Sequence, residues 1–253
     1  MQGRAENAER VFIDAHGVDD DAVKRGFRWL FAFSQEHDCP RAAVVVPGVP
    51  NIANLGRVLG EQNATRLQKN RELSANGVVL VAYTDRTLPF DLDGVPVLAV
   101  WVDDKQLRKI DGLSAAAICA IPWTSDGITE WTANWNPTDL RTGEAGGPEQ
   151  TVLNPVVVAG LTSLTDRVNL STGLGHPSDK DSAIGLFKLL TGAGEDYDPN
   201  QIRAWAVQHG WEPDDAAELA ELSGKIRAGR TVRGTGRQMW RDDIVELWRE
   251  ESG

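Results

Sequence analysis

The chain has 253 residues, 41% of them hydrophobic and 25% charged, and carries a net charge of -11. That is enough apolar material for a real core without disulfide or metal staples, in one large or two modest domains. The negative charge disfavours broad attraction to nucleic acid or an anionic membrane, so any such contact needs a local basic patch.

Cys39 and Cys119 lie beside or within apolar runs, which suits reduced thiols, and no CxxC or Cys/His spacing suggests zinc. MQGRAENAERVF lacks the basic and then apolar regions of a signal peptide, and no run approaches the roughly 18 apolar residues that span a bilayer. The expectation is a cytoplasmic protein with no membrane contact. Arginine (19) outnumbers lysine (7), which points to a high-GC bacterial genome.

Strand and helix signals alternate through the first 135 residues. RVFIDA (10–15) is an apolar run ending in an acid, and Val23, Phe27, Leu30 and Phe31 share one face of a helix over 19–37. RAAVVVPG (41–48) is a second strand, stopped by Pro47 and Gly48, and Ile52, Leu55 and Leu59 mark the next helix. GVVLVAYTD (77–85) and GVPVLAVWVDD (94–104) are the third and fourth strands. KQLRKIDGL is helical, and SAAAICAIPW (114–123) is the fifth strand.

Continuously apolar strands separated by helices predict a mostly parallel sheet covered on both faces, a Rossmann-like three-layer α/β domain over 1–135. TDRTLPFDLDG carries no helix pattern, so the third and fourth strands are expected to be antiparallel if they pair. ITEWTANW is amphipathic, with Trp131 and Trp135 on one face. NPTDLRTGEAGGPEQ is rich in glycine, proline and polar residues, which places a linker over 136–153.

Beyond it the strand signal stops. Asn154 and Pro155 form a cap and first helical position ahead of Val157, Leu161, Leu164 and Val168. Further helices start at Asp198, precede Gly229 and close the chain around Ile244, Leu247 and Trp248. Residues 154–253 are therefore expected to be a smaller, all-helical domain.

Three groups of residues carry candidate chemistry. In STGLGHPSDKDS (171–182), Ser178 stands three residues before Asp181, a capping box with Asp in place of Glu. The same helix start would suit an anion, with His176, Ser178 and Lys180 at hand, although the spacing is not that of a Walker loop and Asp179 and Asp181 repel phosphate.

KIRAGRTVRGTGRQMWR (225–241) concentrates six basic residues and no acid in an acidic chain. Arg230, Arg233 and Arg237 suit an anionic partner, either nucleic acid or an acidic protein, while pairing with the chain's own carboxylates is the plainer use of such a loop. A helix-turn-helix across Gly210 and Pro213 is disfavoured for reading DNA, because its second helix begins Asp214, Asp215 and continues with Glu218 and Glu221.

The third group lies at the carboxyl ends of the strands, where open parallel sheets bind ligands. Asp14, Asp85 and Asp103 would hold Mg²⁺ if they converge, with His16 or Arg86 assisting. Aspartate at these positions also serves as a cap or turn residue, and Asp103 stands where an N-cap should. No GxGxxG follows the first strand and no GxSxG elbow is present.

These features suggest a two-domain regulatory or binding protein. An α/β domain would sense a small phosphorylated or nucleotide-like ligand, and a helical domain would engage a partner through the arginine loop. The alternative is a Mg²⁺-dependent hydrolase or nuclease acting on a phosphate ester.

Overall fold

The computed structural model describes residues 8–146, 153–241 and 243–252. The chain divides into two compact units, Met1–Pro148 and Glu149–Gly253. No described helix is long and apolar enough to cross a membrane.

The first unit is α/β, built on a seven-stranded, mostly parallel sheet. Its strands are β1 (Glu9–Phe12), β2 (Arg41–Val46), β3 (Glu72–Ala75), β4 (Val78–Thr84), β5 (Pro96–Val102), β6 (Ala117–Pro122) and β7 (Thr138–Asp139). They lie in the order β3-β4-β2-β5-β6-β1-β7. Every residue of β5 and β6 is buried, as expected of strands covered on both faces.

Helices α1 (Asp20–Glu36), α2 (Val49–Asn54), α3 (Gly56–Leu59) and α4 (Glu61–Asn70) supply Val23, Phe27, Leu30, Ile52 and Leu67 to one face of the sheet, joined by Leu55 from the turn between α2 and α3. Helices α5 (Asp104–Asp111) and α6 (Thr129–Trp135) supply Leu107, Ile110 and Trp131 to the other. Asp19 starts α1 by accepting from the N–H groups of Asp21 and Ala22 at 3.0 and 2.9 Å. The helix then lies so close to the sheet that a Cβ on Gly26 would come within 2.6 Å of Leu98.

One expectation about pairing is corrected. Residues 78–84 and 96–102 are not neighbours; each runs parallel to β2 from its opposite side. The antiparallel partner of β4 is the short strand β3, joined through Asn76 and Gly77, both at positive φ (51° and 79°). Such a pair matches the twist of a tight hairpin. The connection from β4 to β5 needs no helix to cross the sheet.

The segment expected to be a linker from 136 also begins as structure. Thr138 and Asp139 pair in parallel with Val11 and Phe12 on the outer side of β1. Gly146 then packs on Phe12, where a Cβ would lie 2.2 Å from the ring. Polar composition hid a strand because an edge strand of two residues needs no apolar run.

A bulge interrupts β5. Trp101 adopts φ +60°, and the register with β6 shifts between Val100 and Val102. Trp101 thereby joins Leu98 and Val100 on the α1 side, while Val102 returns to the face of Val97 and Ala99. One extra residue changes the alternation of every side chain beyond it.

The described elements of the second unit are all helical: α7 (Pro155–Thr165), α8 (Pro177–Gly192), α9 (Pro199–Gln208), α10 (Pro213–Arg227) and α11 (Ile244–Ser252), with a 3-10 turn at Gly173–Gly175. Asn154 caps α7 by accepting from Val156 N–H at 2.9 Å. Leu161, Phe187, Ile202, Leu219 and Trp248, one from each helix, meet in a single core. Trp240, in the loop between α10 and α11, enters the same core and donates its indole N–H to Ser182 O at 2.7 Å.

Candidate functional site

The start of α8 differs from the expected capping box. The helix begins at Pro177 and His176 is its cap, with Nδ1 accepting from Ser178 N–H at 3.3 Å and lying 2.7 Å from Ser178 Oγ. Proline fixes the first helical position and moves the cap two residues ahead of Ser178. Asp179 and Lys180 donate their N–H groups to His176 O, so the donors that would receive an anion are engaged locally. Lys180 Nζ is tied to Glu218 at 2.9 Å.

Asp181 instead faces inward, with 6% of its surface exposed. It accepts from Thr235 N–H at 2.8 Å and from the Thr235 hydroxyl, so it holds the middle of the arginine loop. The Thr235 hydroxyl, then the backbone donors and the charge of Arg237, keep its carboxyl below the usual range against the opposing effect of burial. A Cβ on Gly234 would lie 2.2 Å from Asp181 Oδ1, so glycine is required beside the carboxylate.

Two segments singled out separately in the sequence therefore meet. Pro177, Lys180 and Asp181 from one, Gly234 and Thr235 from the other, and Glu218 of α10 line a cleft of about 340 Å³. Asp215 stands behind it, against Gly173, whose φ of +51° and lack of Cβ permit the approach. Burial, followed by the nearby Glu218 and Asp214 carboxylates, pushes the Asp215 carboxyl up.

The basic residues of the loop fall into two sets. Lys225, Arg227 and Arg241 pair with Glu221, Asp196 and Asp243. Arg230, Arg233 and Arg237 are exposed, and among the described residues no carboxylate lies within ion-pair distance of them. The loop is nonetheless held, because Thr235 is bound at its middle and Met239 and Trp240 are fixed at its end. Arg167 donates to Met239 O at 3.1 Å and lies over the Trp240 ring at 4.3 Å.

The sheet's carboxyl edge distributes its aspartates. Asp14 follows β1 and pairs with Arg141 at 3.1 Å, Asp85 follows β4 and pairs with Lys109 at 2.5 Å, and Asp103 caps α5 in a reciprocal box with Gln106. Four strand spacings separate β4 from β1, about 19 Å, and β5 lies about 10 Å from each. The three do not fit one Mg²⁺. Among the described residues no group of three His, Cys, Asp or Glu is placed to hold a metal ion. His16 and Arg86 are exposed on the loops after β1 and β4.

A second cleft, of about 430 Å³, opens past the ends of β1 and β6 beside the turn that follows β7. Its wall carries the carboxylates of Asp14, Asp139 and Glu144 and the hydroxyls of Thr129, Thr132 and Thr142. Phe12, Pro122 and Ile128 supply an apolar part. Arg141 reaches both Asp14 and Asp139, the latter at 3.6 Å.

At the opposite edge, where the strands begin, Arg10 Nε meets Asp111 Oδ1 at 3.0 Å. Trp131 donates to Asp111 Oδ2 at 2.6 Å, and the Arg10 guanidinium lies 3.3 Å from the Trp135 ring centroid. This buried group ties α5 and α6 to β1. The two tryptophans of ITEWTANW thus serve the sheet unit's own packing.

One comparison with known proteins falls within the second unit. Residues 153–249 match the family described as "Domain of unknown function (DUF1889)". No curated protein matches the chain. A crystal structure from Salmonella typhimurium is similar over 38% of this chain and 95% of its own, with 22% identity and a TM-score of 0.34.

Proposed function

We propose that the protein is a two-domain binding or regulatory protein of the cytoplasm. Its helical unit engages an anionic partner through Arg230, Arg233 and Arg237, and its α/β unit, Rossmann-like in organisation, holds a small nucleotide-like or phosphorylated ligand at the sheet's carboxyl edge. The observation that carries this reading is the arginine loop itself. Among the described residues no carboxylate lies within ion-pair distance of these three guanidinium groups, and the segment that carries them is fastened by Asp181 and Trp240. A fastened loop loses less freedom on binding than a slack one, which favours recognition. The free thiols of Cys39 and Cys119 suit a reducing compartment.

The phosphate-ester hydrolase alternative needs carboxylates gathered at one point, and the separation of Asp14, Asp85 and Asp103 gives it no support. The test is fluorescence anisotropy with labelled RNA, DNA and polyglutamate at two salt concentrations, comparing wild type with a variant carrying Arg230→Ala, Arg233→Ala and Arg237→Ala. Binding that weakens with salt and is lost in the variant supports the reading. A variant that binds every polyanion as well as wild type removes the loop from the function.

A further inference from the structure

Phe90 is fully exposed, at 103%, whereas the next most exposed large apolar side chain among the described residues is Val18, at 50%. It stands in the connection from β4 to β5, which is fastened on both sides of it. Leu88 and Leu92 pack against the core of that face, Thr84 N–H donates to Thr87 Oγ1 at 2.9 Å, and Leu92 N–H donates to Leu113 O at 2.6 Å. A bare aromatic ring on a fixed backbone is the form of an interface anchor, because covering it with a partner orders little that is not ordered already.

The charges beside the ring select its partner. Residues 87–94 (TLPFDLDG) carry Asp91 and Asp93 and no base, and among the described residues no cation lies within ion-pair distance of Asp91. A surface that covers Phe90 and answers Asp91 needs planar cations, and a guanidinium does both, stacking on an aromatic face and pairing with a carboxylate. The chain itself presents such a surface in Arg230, Arg233 and Arg237, on the loop held by Asp181 and Trp240. Nucleic acid would answer the arginines but leave Phe90 bare, and the net charge of -11 repels a polyanion.

We infer that the arginine loop of one copy binds the PFDLD loop (89–93) of a second copy, with guanidinium over Phe90 and ion pairs to Asp91. The inference rests on the reading of the arginine loop as a site for an anionic partner and names that partner. The contact joins different surfaces of the two copies, so it closes as a pair or ring or continues as an array. Because exposed opposite charges contribute to it, the contact weakens as salt rises.

Sedimentation velocity of the full chain over a concentration series, at low and high salt, is the test. Wild type should self-associate, and more weakly at high salt. Phe90→Ala, which leaves the core untouched, and the pair Arg230→Asp with Arg233→Asp should each weaken association by about tenfold or more. Arg237 stays in place because its charge helps to keep Asp181 ionised. Asp91→Arg should also weaken association by itself. Mixing it with the Arg230→Asp, Arg233→Asp variant should restore complexes, since the mixture offers one native contact and one with its charges exchanged. A monomeric wild type, association that survives Phe90→Ala, or a mixture that stays monomeric overturns the inference. A monomeric wild type that binds RNA, DNA or polyglutamate through the arginines overturns it while leaving the anionic-partner reading standing, and one that binds none of them removes both.

Discussion

Thr235 donates its backbone N–H, at 2.8 Å, and its hydroxyl to the buried carboxylate of Asp181, which lies 54 residues earlier in the chain. This contact turns a glycine-rich run into a presented loop, because it fixes the backbone between Arg233 and Arg237. Asp181→Asn keeps the shape but removes the charge that strengthens both bonds. Amide exchange at Thr235 and Arg237 should accelerate by about tenfold or more, while the core of α7 stays protected. Unchanged exchange in the loop would show that Asp181 does not hold it.

The same carboxylate predicts a pH dependence. Its folded value is depressed below the ordinary 3.8, chiefly by the Thr235 hydroxyl. A depressed acid contributes stability that is present above its unfolded value and lost as pH falls through the folded one. Loop protection should therefore stay level from neutrality down to about pH 4 and fall below that. In Asp181→Asn the acid-dependent part should vanish, as hydrogen exchange on a pH series reads directly.

Gly234 offers a test that leaves every charge in place. A Cβ there would meet Asp181 Oδ1 at 2.2 Å and Ile184 Cδ1 at 3.0 Å, so Gly234→Ala must push the loop off its anchor. Its exchange pattern should match that of Asp181→Asn. Gly236→Ala, which has open space around its Cβ but a φ of +79°, should cost about 1 kcal/mol of local backbone strain without displacing the anchor.

Much of this architecture was legible in the sequence because its period was simple. Val23, Phe27 and Leu30 mark α1 by helical spacing, and the unbroken apolar residues of β5 and β6 mark strands buried on both faces. β3 and β7 escaped because ELSA and TD are too short and polar to show a period. Asn76-Gly77 was the available sign of the hairpin. The anchor of the loop also left a trace, since Asp181 stands three residues before Ile184 on an apolar helix face. An acid in that position predicts a buried partner, but sequence spacing does not say that the partner is Thr235.

Asp111 poses the same problem on the other unit, one turn after Leu107 on the buried face of α5. Burial pushes its carboxyl up, while the charge and hydrogen bond of Arg10 and the N–H groups of Trp131 and Trp135 pull it back. Because the Arg10 and Asp111 side chains are only 5% and 12% exposed, removing one leaves the other charged and desolvated. Asp111→Ala should cost about 3–5 kcal/mol in urea denaturation, and Arg10→Met a similar amount. The double variant should lose much less than the sum of the two, because no lone charge remains. Additive losses would mean that the pair is not energetically coupled and that α5 and α6 are held to β1 by apolar packing alone.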